Sequence, residues 1–543
     1  MSKMELLASE PIEAYPDYDA KKHLEIKEAL IRILGPEWVS DEPEITQAYS
    51  RDWTAPGILE PRRPEFVVLP GSVEDVRAIT KLANRLKFNL LPIGTGLCGL
   101  AGTLPNRGCT VTVDLAKRMN RIIRLDSKNM YAVVEPGVTY AQLHAEALKV
   151  GLTLSGAPEA GAQAKVLANH LFFALTGKSQ RYGHAPHRIL GAEIVLPDGE
   201  LICLGSAATT NEYFWGSGPG PDLIGLIRGL TCSHGGLGIV TKLAVKLYPW
   251  PGPRVWPVEG YIPEKRVILP KDKFRWYLIK LPSEEKVIEA IYEIGRSEIG
   301  YAVHHFCAYY MNTWWAKSCE EYWRTWEEGY FQKLHPSLAV CLAGLTSPKQ
   351  LEYEEKILKQ IVEELGGEFV KDEKNWIEYT ASNWLLDAQG PRMHRPSGTY
   401  SLFALDILDP EWADKVTRPN ESLGDKVREK YTPPLVDDDH SHWIHSIEFG
   451  HYAVGEQDFL VEKSSLESVK ASMQSVMEYI TTALKEGSPC GVPQMASGRL
   501  NEFAGPVMGN YHVWLRKIKE AFDPNYVANP PYPIPIPEKE PKP

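Results

Sequence analysis

Three groups of residues in this chain have the types and spacing to do chemistry. The first is Gly94-Thr95-Gly96-Leu97-Cys98-Gly99, which fits the G-x-G-x-x-G pattern of loops that hold a diphosphate. The second is DDDHSHWIH, with Asp437, Asp438, Asp439, His440, His442 and His445. On a strand, His440 and His442 would share one face, flanked by carboxylates. That arrangement suits a metal site, a proton acceptor, or a solvated acidic loop leading into a strand. The third is PRMHRPSG, where Arg392 and Arg395 flank His394 and could clamp a carboxylate or a phenolate, or form surface salt bridges. Near the end of the chain, Arg499, Glu502 and Tyr511 offer a further polar set, on a loop that either packs on the first domain or reaches a reaction site. The catalytic candidates are Arg392, His394, His440, His442 and Tyr511. No metal is counted among the expected cofactors.

The glycine stretch does not fit a nicotinamide-type fold. A strand precedes it (Asn89 to Ile93), and Asp114 follows at a suitable distance, but the required helix is missing. The chain continues LAGTLPNRG, with Gly102, Pro105 and Gly108, into a second strand from Thr110 to Leu115. Proline and glycine at that density do not hold a helical turn. Consecutive backbone N–H groups must then cradle the diphosphate alone, and glycine lets it approach. This points to FAD. A second phosphate-loop look-alike, Thr176-Gly177-Lys178-Ser179, fails because the first glycine of that pattern falls on Phe172.

The elements around these residues read as α+β. A helix runs over 22–34 and stops at Gly35-Pro36. The strand Phe66 to Pro70 leads into a helix opened by Ser72 and Asp75, with Val76, Ile79, Leu82, Ala83 and Leu86 on its apolar face. The strand Tyr131 to Gly137 leads into a helix capped by Thr139 and stopped near Gly151. Ala192 to Ile202 turns at Pro197 to Gly199, and Gly238 to Pro249 is a further strand.

With 543 residues, two or three domains are expected. The boundaries fall at 1–41 (an arm and helix), 42–253 (an FAD-binding domain), 254–498 (a cap) and 499–543 (a segment returning to the first domain, with a proline-rich tail). A net charge of −11 argues against nucleic acid as a partner. No apolar run has the length of a membrane span, and the N-terminus lacks a secretory pattern, so a cytoplasmic protein is expected. The eight cysteines show no C-x-x-C pairing. The aromatics of Tyr301 to Phe331 read either as helix-packing core or as the lining of a substrate pocket.

The order of these segments resembles the FAD-binding domain of the vanillyl-alcohol oxidase and p-cresol methylhydroxylase family, which includes glycolate oxidase flavin subunits and D-lactate dehydrogenases. The resemblance runs through PGSVEDVRAITKLAN (Pro70 to Asn84), PIGTGLCGLAG, VTVDLAKRMNRII (Val111 to Ile123) and VEPGVTYAQLHAEA (Val134 to Ala147). It continues through GAEIVLPDGEL (Gly191 to Leu201) and PDLIGLIRGLTCSHGGLGIVTKLAVKLYP (Pro221 to Pro249), and returns in KIKEAFDPNYVANP (Lys517 to Pro530). It implies a two-subdomain FAD-binding domain of the p-cresol methylhydroxylase type with an α+β cap. The implied cofactor-binding residues are Pro92, Ile93, Gly94, Thr95, Gly96, Leu97, Cys98 and Gly99 at the diphosphate, and Pro158, Glu159, Gly161, Ala168 and Asn169 along the ribityl chain and flavin. Gly177, Tyr182 and Gly183 continue that set, and Gly238, Ile239 and Val240 lie on the adenine side.

The implied activity is two-electron oxidation of a small alcohol, a 2-hydroxy acid or a para-substituted phenol, by hydride transfer to flavin N5. Electrons would leave to oxygen, a cytochrome or an electron-transfer flavoprotein. The hydroxy-acid branch typically carries a metal-binding His-x-His-x-GDGN stretch, which this chain lacks. Histidines 170, 184 and 187 lie in or near the flavin stretch, yet FAD is expected to be non-covalent. The protein is expected to be a homo-oligomer or a subunit of a complex. Two other functions fit the resemblance: an electron-relaying or scaffold subunit, and a non-redox transferase like alkyl-dihydroxyacetone-phosphate synthase.

Overall fold

The computed structural model describes residues 19–50, 62–94, 103–105, 107–155, 161–171, 176–214, 217–229, 233–261, 265–379, 381–386, 400–437, 440–486, 498–530 and 534. Gly96 to Gly99, Thr95, Pro158, Glu159, Arg392 and His394 lie outside them.

The first half of the chain builds two sheets. In the smaller, Asn89–Ile93 and Thr110–Asp114 are parallel neighbours, Phe66–Val68 continues the parallel set, and Val39–Ser40 closes it antiparallel. Parallel neighbours need a long connection. Here that connection is the glycine-rich stretch, and none of its described residues is helical. The helices Ala20–Leu34 and Val73–Leu86 cover this sheet, with Ile26, Leu30, Val76, Ile79 and Leu82 meeting Phe66, Val68 and Val111. Ser72 caps the second helix by accepting from Asp75 N, while the Asp75 carboxylate reaches back to Gly71 N. The second sheet is antiparallel, in the order Ile122–Asp126, Tyr131–Val134, Ile239–Lys246, Ile189–Val195, Leu201–Gly205. Gly199, at φ +86°, makes the hairpin turn. Thr139 and Gln142 form a reciprocal capping box at the start of Tyr140–Lys149, which packs on this sheet.

Residues 274–460 build the third sheet. Its seven strands are antiparallel, in the order Glu368–Phe369, Phe274–Lys280, Ser337–Ala343, Ala302–Phe306, His442–Ile447, Tyr452–Leu460, Tyr400–Leu408. One face is covered by the helices Glu284–Arg296 and Pro348–Glu364, with Val303, Ile444 and Val340 pointing into that core. The other face carries Phe306, Trp443 and Ala339, packed with Tyr309, Tyr310, Trp314 and Trp384. The aromatic run is therefore largely core: Tyr309, Tyr310, Trp314, Tyr322 and Phe331 are buried.

The C-terminal stretch returns to the first half. Leu90 and Ala528 form a parallel bridge, so residues 527–529 extend the glycine-loop sheet at its free edge. The buried Lys519 amine holds the return in place. It donates to the carbonyls of Gly236 and Ala528 and pairs with Asp523, each at 2.6 Å. Removing one partner of a buried, bonded ion pair costs about 3–5 kcal/mol. Lys519→Met should lose that much unfolding free energy in urea titrations; a loss below about 1 kcal/mol would contradict the anchoring role.

Candidate functional site

The described parts of the expected flavin site converge. A Cβ built on Gly94 would stand 3.2 Å from the Ala168 Cβ and 3.6 Å from the Lys165 side chain, so the start of the glycine loop lies against the helix Val166–Leu171. A Cβ on Gly235 would stand 2.3 Å from Pro92, which brings the loop before Gly238 to the same place. Gly238 has φ +137° and no room for a side chain, because a Cβ would meet the Val195 carbonyl at 2.6 Å. Ile239 and Val240 bury their side chains in the cores on the two sides of their strand, leaving only backbone for other contacts. Asn169 accepts from the Tyr140 hydroxyl at 2.9 Å, and Gly161 sits at φ +83°. At the far end of the 155–170 stretch, the Ser155 hydroxyl is buried without a hydrogen-bond partner. Lys165, half-buried near Asp114, escaped the sequence reading; its amine is held below its ordinary pKa by burial, with Asp114 pulling the other way.

Tyr182 and Gly183 belong to the seam between the two halves. Tyr182 stacks on Tyr248 with centroids 3.9 Å apart and meets Tyr301 of the cap edge-on at 5.7 Å. Burial raises its pKa to about 12. A Cβ on Gly183 would strike the Arg188 guanidinium at 2.1 Å.

The two halves also touch at Gly177, beside the contacts of Ser179 and Gln180 with Glu448 and Phe449. The Gly177 N–H donates to the Trp384 carbonyl at 3.2 Å, and a Cβ there would lie 2.2 Å from that oxygen. Next to this contact stand two cap histidines on cross-strand paired positions, His304 and His445, with ring centroids 4.4 Å apart. The Trp384 ring lies 5.8 Å from His304. All four ring nitrogens of the pair are buried without a hydrogen-bond partner, although the backbone at Gly177 and Thr176 approaches them. Burial holds both rings neutral: His304 is lowered to about 3, and His445 falls well below its ordinary value, with His304 adding to the effect. Unpaired buried polar atoms cost free energy unless a ligand satisfies them. These nitrogens and Ser155 therefore suit a bound polar group lying along residues 155–183, as FAD would.

Of the sequence-based catalytic candidates, the described ones, His440, His442 and Tyr511, are not among the residues around Gly177. His440 and His442 do not share a strand face, which corrects the expectation from their spacing. His440 has φ +62°, and the strand starts only at His442. The left-handed turn sends the His440 ring to Asp425 at 2.6 Å and Arg428 at 2.7 Å. His442 points to the helix-covered face of the cap sheet, toward His305. Tyr511 opens the C-terminal helix half-exposed. Arg392 and His394 lie outside the described residues, as do Asp438 and Asp439. The pair that the structure does assemble was visible only in part. Alternation along the strand from His442 puts His445 on the face opposite His442, but its pairing with His304 depends on a neighbour far away in sequence.

Residues 64–205 match the family described as FAD binding domain, so the chain carries an FAD-binding domain and its cofactor is FAD. Among curated relatives, glycolate oxidase subunit GlcD of Bacillus subtilis is 30% identical over 229 residues, 42% of this chain and 45% of that protein. The mitochondrial D-lactate dehydrogenase (cytochrome) 1 of Saccharomyces cerevisiae is 32% identical over 243 residues, 44% of this chain and 39% of that protein. The chain thus matches less than half the length of these relatives. The whole fold is similar to substrate-bound p-cresol methylhydroxylase, with a TM-score of 0.74 at 19% identity, covering 95% of this chain and 98% of that one. It is also similar to 4-ethylphenol oxidase from Gulosibacter chungangensis, with a TM-score of 0.72 at 18% identity, covering 96% and 99%. Among the described residues, no helix is long and apolar enough to cross a membrane.

Gly177→Ala tests the approach of the halves. The added methyl must displace the Trp384 backbone, an overpacking that costs roughly 1–3 kcal/mol. Calorimetry should show a lowered Tm and fluorescence a changed Trp384 environment; an unchanged Tm would contradict the contact.

Proposed function

We propose that this chain is an FAD-dependent oxidoreductase that oxidises a small alcohol, a 2-hydroxy acid or a para-substituted phenol, at the seam between residues 176–183 and the cap sheet. We take 42–253 as the FAD-binding domain, 254–498 as the cap and 499–543 as the returning segment. The observation that carries the reading is the His304–His445 pair, with its buried, unpaired ring nitrogens beside Gly177.

The bound flavin supplies the hydride acceptor. The chain supplies the rest. Backbone amides of residues 93–99 hold the diphosphate, with Lys165 close by as a counter-charge. Trp384 and Gly177 close the seam and exclude water. His304 and His445, neutral when the site is empty of charge, accept a hydrogen bond from the substrate hydroxyl. A pKa of about 3 at His304 makes an isolated imidazolium costly. An anion placed beside it offsets that cost, so the carboxylate of a 2-hydroxy acid raises the proton affinity of the pair where the hydroxyl proton is given up, while a para-substituted phenol would give its phenolic proton to the pair and bind as the phenolate. This favours anionic substrates, in keeping with the hydroxy acids named in glycolate oxidase and D-lactate dehydrogenase and with the phenols named in the structural neighbours. The His170 ring, engaged by the Val166 carbonyl at 2.8 Å and by Tyr140 at 3.1 Å, supports a non-covalent flavin. Electrons pass on to oxygen, a cytochrome or an electron-transfer flavoprotein.

Anaerobic mixing with glycolate, D-lactate, larger 2-hydroxy acids, p-cresol and 4-ethylphenol tests the reading. One class should bleach the oxidised flavin band. His304→Asn and His445→Asn should retain FAD and lose roughly 10²–10⁴ in kcat/KM. Unaltered rates in both variants would remove the histidines from the reaction; no bleaching by any hydroxyl substrate would favour a scaffold or non-redox role.

A further inference from the structure

The helix-covered face of the cap sheet holds a second histidine cluster, separate from the His304–His445 pair. His305 lies on the strand Ala302–Phe306, and His442 opens the strand His442–Ile447. His335 comes from the turn before Ser337–Ala343, and Glu284 is the first residue of the helix Glu284–Arg296. Their ligand atoms all lie within 4.8 Å of one another. His305 Nε2 is 3.0 Å from Glu284 Oε2 and 3.2 Å from His442 Nε2, and His335 Nε2 is 3.2 Å from Glu284 Oε1.

The tautomers are settled by the surroundings. His305 Nδ1 lies 2.7 Å from the Ser337 carbonyl, and His442 Nδ1 lies 2.7 Å from the His440 carbonyl. A carbonyl only accepts, so both Nδ1 atoms carry the proton. In the neutral rings both Nε2 atoms then present lone pairs, and these face each other across 3.2 Å. His335 Nε2 is buried and makes no hydrogen bond. The Glu284 carboxylate adds two more acceptors. Among the described residues, only histidines pair with it; no lysine or arginine does. A single proton on His305 can close one of these gaps. A cation at the centre closes all of them.

We propose that Glu284, His305, His335 and His442 bind one divalent transition-metal ion, with zinc the best match to three imidazoles and a carboxylate. A tetrahedral zinc with ligands at 2.0–2.1 Å has neighbouring ligand atoms about 3.3 Å apart, close to the three contacts of 3.0, 3.2 and 3.2 Å, and the remaining pairs lie within 4.8 Å. The carbonyls on His305 and His442 are the outer partners that orient metal-bound imidazoles. The side chains of Glu284 and His335 are 17% and 20% exposed, against 0% for His305, so the ion enters past the helix start. All four protein positions are filled, which makes this a structural site. It pins the start of a helix, a turn and two central strands, and it supports from behind the strands that carry His304 and His445. The neighbouring group of Asp425, Glu429 and His440 does not qualify, because the Arg428 guanidinium already supplies its positive charge.

The test uses full-length, flavin-loaded protein purified without a metal-affinity tag. Elemental analysis should find about one zinc per chain, or zinc added after chelation should restore it. Zinc addition should raise the Tm by several degrees. Zinc-edge X-ray absorption should show nitrogen and oxygen ligands with imidazole scattering and no sulfur. His335→Ala and Glu284→Gln, the two ligands nearest solvent, should lose the zinc while keeping FAD, whereas Glu429→Gln should keep both. Wild-type protein that takes up no zinc overturns the proposal, even if the variants fail to fold. So does zinc retained at full stoichiometry by His335→Ala, or a sulfur ligand in the absorption spectrum.

Discussion

Residues 177–180 press against the cap: the Gly177 N–H bonds the Trp384 carbonyl with no space for a side chain between them, and Ser179 and Gln180 bond the backbone of Glu448 and Phe449. These contacts bring the segment expected along the flavin against the cap sheet. They also enclose His304 and His445 where water does not reach their ring nitrogens. Hydrogen bonds that would cost little to lose at a surface become obligations in such a place. Backbone at Gly177 and Thr176 reaches one side of each ring, and the nitrogens left over suit a bound polar group.

The first half supplies the complementary constraint. Two parallel strands, Asn89–Ile93 and Thr110–Asp114, are joined by a stretch whose described residues are not helical, in keeping with the sequence-based expectation that loop amides hold the diphosphate. The C-terminal stretch locks the exposed edge of that sheet, with Asn529 donating to the His234 carbonyl at 2.6 Å and Leu90 bonded on both sides of its peptide. Cofactor grip and chain return are thus one packing problem: Lys519 ties the loop at Gly236, next to Gly238, to the end of the chain.

Much of this was legible in the sequence where the signal is local. The capping residues Ser72 and Thr139, the turn at Gly199 and the glycine-rich link between strands each act within a few residues of themselves. The cap was less legible. His440 and His442 looked like a strand pair because spacing says nothing about a left-handed residue, and the turn at His440 separates them. The partners of His304 and His305 lie more than 130 positions away on His442–Ile447, and adjacency of that kind comes from sheet order alone. The two faces of one strand then divide the histidines, with 304 and 445 toward the flavin-binding half and 305 and 442 toward the helices.

The most direct measurement is the visible spectrum of freshly purified protein, taken before and after acid precipitation. The account predicts an oxidised flavin spectrum at about one FAD per chain, with the colour released into the supernatant by acid. Colourless, folded protein that takes up no FAD when it is supplied would contradict it.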